Sequence, residues 1–266
     1  MVMIHRSPCY SQSSRRCRPR LTTSFGLATS IGYIEVRQIH RSMSPTTERN
    51  PMTDTKHADT INEMSTAAED FYRFGWLNAA SGNMSAKVDD ETVLITASER
   101  HMRDLNAEDF VDIDFDAKPS GDDKPPSDAA SHLAIYKNLD DVGAVYHVHH
   151  LKAALCSDRD HKRGVTHLHD VQMIAALDIE GDELSVDLPI LDAGADDQAD
   201  TIAEYLSGSD ISSVPCLNIK NHGLYVWGAD TEACRRHVEA CAYLFDYAWR
   251  RPMSPEKSSS ITGFRG

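Results

Sequence analysis

The stretch 144–150 constrains this chain most, because an apolar run there leads into histidines at positions 147 and 149. Its valines and tyrosine favour a β-strand. Alternate side chains of a strand share a face, so we expect His147 and His149 to point the same way. Neutral imidazole is the commonest protein ligand for zinc and similar cations. The pair fits a metal site, and it also fits a polar rim at the end of a strand.

A third histidine, His222, follows a second apolar and strand-like run and precedes a glycine turn. Catalytic zinc usually has three protein ligands and one open position. Two strand ends that together supply His147, His149 and His222 therefore predict a metal site more strongly than either strand end does alone.

Composition limits the classes of protein that remain. With 266 residues the chain forms one large domain or two small ones, and a hydrophobic content of 41% suffices for a core. No stretch approaches the 18 apolar residues of a membrane span, so we expect no membrane partner. The six cysteines show neither a CxxC motif nor regular spacing, which argues against a disulfide framework and a cysteine zinc site.

The formal net charge of −14 is distributed unevenly along the chain. Residues 1–50 carry eight Arg, no Lys and two Glu, whereas the remainder has 19 basic and 39 acidic residues. Nonspecific binding to nucleic acid relies on Lys and Arg that neutralise phosphates. We therefore expect an acidic body that does not bind nucleic acid.

Residues 1–55 differ from the remainder, since they are rich in Arg and Ser and show no sustained helical or strand period. Such a segment resembles a mitochondrial transit peptide. It also fits an extension upstream of a true start at Met43 or Met52, which is the interpretation that we favour. We predict a disordered extension on a cytoplasmic protein, with mitochondrial import as the alternative.

Hydrophobic periodicity predicts alternating helices and strands along the body of the chain. Helices are predicted over 60–75, 127–138, 151–157, 170–177, 195–207 and 230–250. Strands are predicted over 84–88, 92–96, 110–115, 144–150, 184–191, 214–220 and 224–227. Ser127 is predicted to cap its helix, and residues 161–170 are predicted to be irregular. The interleaving predicts an α/β fold with a mixed sheet in one domain over 56–254, followed by a flexible tail over 255–266.

His167 and His169 repeat the spacing of the first histidine pair, but their flanks are less strand-like and no third ligand is apparent. We expect them to have a surface or substrate-side role rather than a metal. Arg100, His101 and Arg103 fit a solvated turn, and they equally fit a contact with a phosphate group.

Four motifs, spread over nearly all of the body, together resemble the class II aldolase/adducin family. They are Ser81-Gly82-Asn83-Met84-Ser85, Ile95-Thr96-Ala97-Ser98, His147-Val148-His149 and Asn221-His222-Gly223. The resemblance implies a single-domain, three-layer α/β/α fold with a mixed central sheet. It also implies one zinc ion per subunit, held by His147, His149 and His222.

The resemblance further implies contacts with a phosphate group and a catalytic carboxylate. Glycine lets the backbone approach closely, and exposed N–H groups bind anions. The carboxylate is implied four residues before His132, which is Asp128. The implied phosphate contacts are Ser81, Gly82, Asn83, Thr96, Ala97, Ser98 and Ser127.

The sequence departs from the family pattern at several positions. Asp128 stands where the family usually has Glu, and Glu99 stands where its phosphate turn usually has Gly. A carboxylate beside a phosphate repels it unless Arg100 or Arg103 compensates. Gln172 also replaces a Glu that is common in related enzymes. These changes fit a different substrate or a lower activity, and they leave the three histidines intact.

The activity that the resemblance implies is metal-assisted proton abstraction beside a ketone, with a small five-carbon ketose 1-phosphate as substrate. Asp128 would take the C3 proton, and a protonated group would help the C4 hydroxyl leave as water. One alternative is an aldolase or epimerase of the same fold. Another is a non-catalytic, adducin-like association domain, against which the three histidines argue. The resemblance also implies a homo-oligomer, most simply a cyclic tetramer.

Overall fold

The computed structural model describes residues 57–179, 184–209 and 212–251. The described residues belong to one compact unit, Pro51–Gly266. The predicted extension 1–55 and the predicted tail 255–266 lie outside the described residues. Among the described residues, no helix is both long enough and apolar enough to cross a membrane.

Helices and strands interleave along the described chain, as the periodicity predicts. The strands are β1 (Asn83–Lys87), β2 (Val93–Thr96), β3 (Phe110–Ile113), β4 (Ala144–Val148), β5 (Val165–His169), β6 (Ser185–Leu191), β7 (Cys216–Ile219) and β8 (Gly223–Gly228). The helices are α1 (Ala58–Arg73), α2 (Ala129–Asn138), α3 (Leu151–Asp160), α4 (Gln198–Leu206) and α5 (Thr231–Arg250). Short 3₁₀ turns lie at Ala107–Asp109, His161–Arg163 and Gln172–Leu177.

The strands form one mixed sheet in the order β3-β2-β1-β4-β8-β7-β6-β5. β6 and β7 run parallel, and the other neighbouring pairs in the described part of the chain run antiparallel. β4 and β8 lie side by side in the middle, and their register places His147 opposite Tyr225. The predicted mixed sheet is therefore confirmed, with the histidine strand near its centre.

Helices cover both faces of this sheet. Successive side chains of a strand point to opposite faces, so Tyr146 and Val145 of β4 enter different hydrophobic clusters. The cluster around Tyr146 includes buried residues of α1, α3 and α5. The cluster around Val145 includes buried residues of α2 and α4. The three-layer α/β/α architecture is confirmed, and the side chain of His147 lies on the layer of α2 and α4.

One element was not predicted. Residues 161–170, which we expect from the sequence to be irregular, contain β5, and β5 pairs antiparallel with β6. Thr166 and Leu168 are buried whereas His167 and His169 are exposed. This alternation is a strand period, but a polar residue at the buried position 166 and an apolar one at the outward position 165 reduce its hydrophobic contrast.

Candidate metal centre and adjoining cleft

Three imidazoles meet where β4 ends and β8 begins. His147 lies in β4, His149 follows that strand, and His222 directly precedes β8. Because β4 and β8 are antiparallel neighbours, the end of one lies beside the start of the other. One ring nitrogen from each histidine lies within 4.8 Å of the others. The Nε2 atoms of His147 and His149 are 3.0 Å apart.

Hydrogen bonds at Nδ1 orient two of the three imidazole rings. His147 Nδ1–H donates to the carbonyl oxygen of Leu224 at 3.0 Å, and His222 Nδ1–H donates to Gln198 Oε1 at 2.9 Å. Each bond leaves Nε2 as the nitrogen with a free lone pair, and such outer partners typically fix the rings of metal-bound histidines. The backbone N–H of His149 donates to the carbonyl of Trp76 at 2.8 Å.

The lowered pKa values of two triad histidines favour the binding of a metal cation. Burial lowers the pKa of His147 well below its usual value, and the neighbouring His149 and His222 lower it further. Burial also lowers the pKa of His149, with His222 acting in the same direction. Neutral imidazole is the form that binds metals. The donor set therefore fits zinc or a similar ion, and among the described residues it is the one such group of three.

Two glycines allow the backbone to close around these histidines. A Cβ atom at Gly223 would lie 2.6 Å from the carbonyl oxygen of Val148 and 2.7 Å from His149 Cδ2. Gly82 has φ +78°, and a Cβ atom there would lie 2.6 Å from the carbonyl oxygen of His147. Gly82 and Gly223 are therefore both needed for the packing of the histidine strand, whether or not a ligand also approaches them.

Asp128 lies beside the triad at the start of α2. Its Oδ2 atom is 3.9 Å from His147 Nε2 and accepts a hydrogen bond from Asn83 Nδ2 at 2.8 Å. The predicted capping by Ser127 is wrong, because α2 begins at Ala129 and Asp128 holds the N-cap position. The Asp128 side chain makes no capping bond, since it is directed to Asn83 instead.

A buried chain of hydrogen bonds runs behind Asp128. His132 Nε2–H donates to Asn83 Oδ1 at 2.5 Å, and Ser85 Oγ–H donates to His132 Nδ1 at 2.7 Å. The hydroxyl of Tyr136 lies 3.0 Å from Ser85 Oγ and completes the chain. Burial lowers the pKa of His132 to about 4, against an opposing effect of the Asp128 charge. Because His132 is neutral, Ser85 can donate to His132, His132 to Asn83, and Asn83 to the Asp128 carboxylate.

A cleft of about 350 Å³ adjoins Asp128 and the triad. Its wall contains six of the seven residues expected to contact phosphate, together with Glu99, its neighbour Arg100 and the metal-side groups. They are Ser81, Gly82, Asn83, Ala97, Ser98 and Ser127, then Glu99 and Arg100, then Asp128 and His149. Thr96 is the exception, because it is buried and its Oγ1 accepts a hydrogen bond from the backbone N–H of Met84 at 3.2 Å.

The remaining charged candidates lie farther from the triad or are already paired. Arg100 is within 3.1 Å of Asp123, while Arg103 is exposed beside Asp104. His167 pairs with Asp187 across β5 and β6 at 2.7 Å, on the exposed face. The structure therefore makes Arg100 the arginine of this turn that can reach a ligand in the cleft.

Sequence reasoning missed Gln198, although it contacts a histidine of the triad. A signal for it exists in α4, where Gln198, Ile202 and Leu206 follow one another at four-residue intervals and all are buried. A polar residue in line with an apolar stripe needs a buried hydrogen-bond partner. Periodicity alone does not identify that partner.

The fold and the site together define a known class of protein. Residues 62–249 match the class II aldolase and adducin N-terminal domain, and the chain belongs to this family. A relative from Persephonella marina, named methylthioribulose-1-phosphate dehydratase, is 34% identical over 191 residues, which cover 70% of this chain and 87% of the relative. A relative of the same name from Pectobacterium carotovorum is 34% identical over 189 residues, covering 69% and 90%.

Solved structures of the family share the fold. L-fuculose-1-phosphate aldolase from Thermus thermophilus aligns with a TM-score of 0.54 at 19% identity, over 73% of this chain and 91% of that one. L-fuculose 1-phosphate aldolase from Glaciozyma antarctica aligns with a TM-score of 0.56 at 16% identity, over 74% and 76%. At these identities the likeness concerns the fold alone.

Proposed function

We propose that this chain is a zinc-dependent hydro-lyase that dehydrates 5-methylthioribulose 1-phosphate to 2,3-diketo-5-methylthiopentyl 1-phosphate, a step of methionine salvage. The observation that carries the proposal is the histidine triad with Asp128 beside it. It occurs in a chain that matches methylthioribulose-1-phosphate dehydratases over 87% and 90% of their length. The non-catalytic alternative has no use for three imidazoles that face one another.

The residues of the triad would hold one zinc ion per subunit through three Nε2 atoms. A zinc ion bound there supplies a positive charge beside the substrate carbonyl, which favours loss of the neighbouring proton. Asp128 is the base that we assign to that proton, at C3 of the sugar. The hydrogen bond from Asn83 holds Oδ2 at 2.8 Å, whereas Oδ1 accepts only a long hydrogen bond from the Ser127 hydroxyl at 3.5 Å, so we assign the proton transfer to Oδ1.

The same cleft would bind the phosphate group. Ser81, Ser98 and Ser127 line its wall with hydroxyl groups, and Arg100 supplies a positive charge. Arg100 is already paired with Asp123 at 3.1 Å and with Asp109 at 3.5 Å, so its charge is shared between two protein carboxylates and any bound anion. Glu99 on the same wall opposes phosphate binding, which fits a weaker phosphate contact than a glycine at this position would allow.

Product analysis of the zinc-loaded protein tests the proposed reaction. Dehydration releases water and yields a five-carbon diketone phosphate with no fragments. An aldolase yields dihydroxyacetone phosphate and an aldehyde from the same class of ketose phosphate. Detection of those fragments, or a panel of ketose 1-phosphates on which the loaded protein is inactive, would reject the proposal.

We also propose a homotetramer. The support from the described residues is a groove rich in exposed aromatic side chains, among them Phe74, Tyr243 and Tyr247, at the surface formed by α5 and the loop after α1. A groove of this composition is more typical of an interface than of a free surface. Light scattering that gives the mass of a single chain would refute it.

A further inference from the structure

The side-chain amide of Gln198 occupies a buried position beside His222 of the triad. Gln198 is the first residue of α4 and is 3% exposed. Its Oε1 lies 2.9 Å from His222 Nδ1, and its Nε2 lies 2.6 Å from the Tyr225 hydroxyl and 3.1 Å from Ser131 Oγ. One amide of α4 therefore contacts His222 and Tyr225, at the start of β8, and Ser131 of α2.

The partners of this amide fix its orientation and the tautomer of His222. The amide nitrogen lies against the two hydroxyl oxygens, which can accept its hydrogens, and the amide oxygen lies against His222 Nδ1. The opposite orientation would put the His222 proton on Nε2, where the triad needs a lone pair for the metal. An oxygen can only accept, and His222 must therefore carry its proton on Nδ1. Free imidazole side chains favour the proton on Nε2, so this contact imposes the less common tautomer. That tautomer leaves Nε2 unprotonated on the side of the triad.

The same amide reaches the second histidine through an aromatic ring. Tyr225 stacks on His147 with ring centroids 4.1 Å apart and planes inclined by 12°. The hydrogen bond from Gln198 to the Tyr225 hydroxyl restrains that ring in its own plane. His147 is thus held between the carbonyl of Leu224 at its Nδ1 and the face of Tyr225.

We infer that Gln198 is a positioning residue for the metal, which sets the tautomer of His222 directly and the ring plane of His147 through Tyr225. The inference rests on the proposed function only in taking the triad to be a metal site. Outer partners of metal-bound histidines are typically worth about 10- to 100-fold in metal affinity. Gln198 touches neither the cleft wall nor Asp128, so its effect passes through the ligands.

The affinity of the zinc-free protein for zinc alone, measured by competition with a chelating dye, tests this inference. Gln198→Leu removes every hydrogen bond at similar size, and we expect its zinc dissociation constant to rise by about 10- to 100-fold. Gln198→Glu keeps an acceptor for His222 and can accept from the Tyr225 hydroxyl. It should restore affinity to within about threefold of the original chain. Tyr225→Phe keeps the stacked ring and should change the affinity less than Gln198→Leu does.

The tautomer of His222 can be read without any substitution. In the zinc-free chain labelled with ¹⁵N-histidine, the ring-nitrogen shifts at alkaline pH should show the His222 proton on Nδ1. A proton on Nε2 would overturn the inference, as would equal zinc affinity for the original chain and Gln198→Leu. An original chain that binds no zinc would overturn the proposed metal site itself, which separates the two failures.

Discussion

The amide of Asn83 donates to Oδ2 of Asp128 at 2.8 Å, and this bond ties the carboxylate of α2 to the strand that pairs with the histidine strand. Asn83 is in turn held by the imidazole of His132 at 2.5 Å. The carboxylate proposed to act as base is therefore positioned by a residue of a motif that the family resemblance associates with phosphate. Asn83 has a structural reason to be present even without a bound phosphate.

Asp128→Asn should abolish most of the turnover while the protein keeps its zinc. Asparagine has nearly the same shape but cannot accept a proton, and removal of such a base typically costs about 10²–10⁴ in rate. Steady-state kinetics on zinc-loaded protein check this, with metal content and thermal unfolding as controls. Asp128→Glu restores the length usual in the family, so a rate equal to or above the original indicates that the shorter acid is not an adaptation. A rate unchanged in Asp128→Asn would remove Asp128 from the mechanism.

Loss of the metal should lower both activity and thermal stability. A ligand that binds the folded chain stabilises it by mass action, by about 2.7 kcal/mol when its concentration is 100 times its dissociation constant. The double variant His147→Ala and His149→Ala should contain no zinc and should melt at the same temperature with or without added zinc. Elemental analysis and paired melting curves measure this. A fully active, metal-free original chain would contradict it.

Glu99→Gly should stabilise the protein and tighten substrate binding. Glu99 has φ +61°, a left-handed conformation that costs a non-glycine residue about 1–2 kcal/mol, partly offset by the greater freedom of glycine in the unfolded chain. We expect a net gain of about 0.5–1 kcal/mol in the free energy of unfolding. Urea unfolding measures the gain, and KM reports the effect of the charge. Glu99→Ala is the matched control, because it removes the charge but keeps the backbone strain.

Stability should fall as the pH is lowered below about 6.5. Burial lowers the pKa of His132 from the usual 6.5 to about 4 in the folded chain, so between these values the unfolded chain binds a proton that the folded chain does not. The stabilisation is complete above about pH 6.5 and is lost progressively toward about pH 4, by about 3 kcal/mol for His132. His150 has a similarly low pKa because of burial and contributes in the same direction.

Urea unfolding of the zinc-free chain between about pH 7 and about pH 4.5 measures this loss. In His132→Gln the free energy of unfolding should change less steeply with pH, by the equivalent of up to one bound proton. This holds whatever the stability of the variant at neutral pH. Equal slopes for the two chains would show that His132 binds its proton over the same pH range in the folded and the unfolded chain, and would contradict the prediction.

A chain that begins at Met52 should keep full activity. The match to the family starts at residue 62, and the positive charge of residues 1–50 contrasts with the acidic body. Activity and melting temperature of the two lengths of chain, compared side by side, test this prediction. A drop of several degrees on removal of residues 1–51 would assign the segment to the fold.

The sequence was sufficient for seven of the eight strands, for the helices and for the three histidines, because each depends on local periodicity or spacing. It was not sufficient for β5. His147 and His149 share a face by strand geometry alone, and His222 lies at the start of the neighbouring strand. The contact of Gln198 with His222 could not be predicted in this way, since it depends on how α4 packs across the sheet. Thr96 shows the opposite error. We expect it from its motif to contact the phosphate, but its side chain is buried and accepts a hydrogen bond from the backbone of Met84 in the neighbouring strand β1.

β4 and β8 are neighbours in the sheet, but α3, β5, β6, α4 and β7 are all synthesised between them. A chain leaves the ribosome N-terminus first, so β4 emerges with one edge unpaired and with His147 and His149 lacking the third ligand. Binding of the proposed zinc ion by all three histidines must therefore wait until His222 and β8 have been translated. In a cell, a bound ion would mark chains whose synthesis has passed that point, and truncated chains would be left with an exposed strand edge.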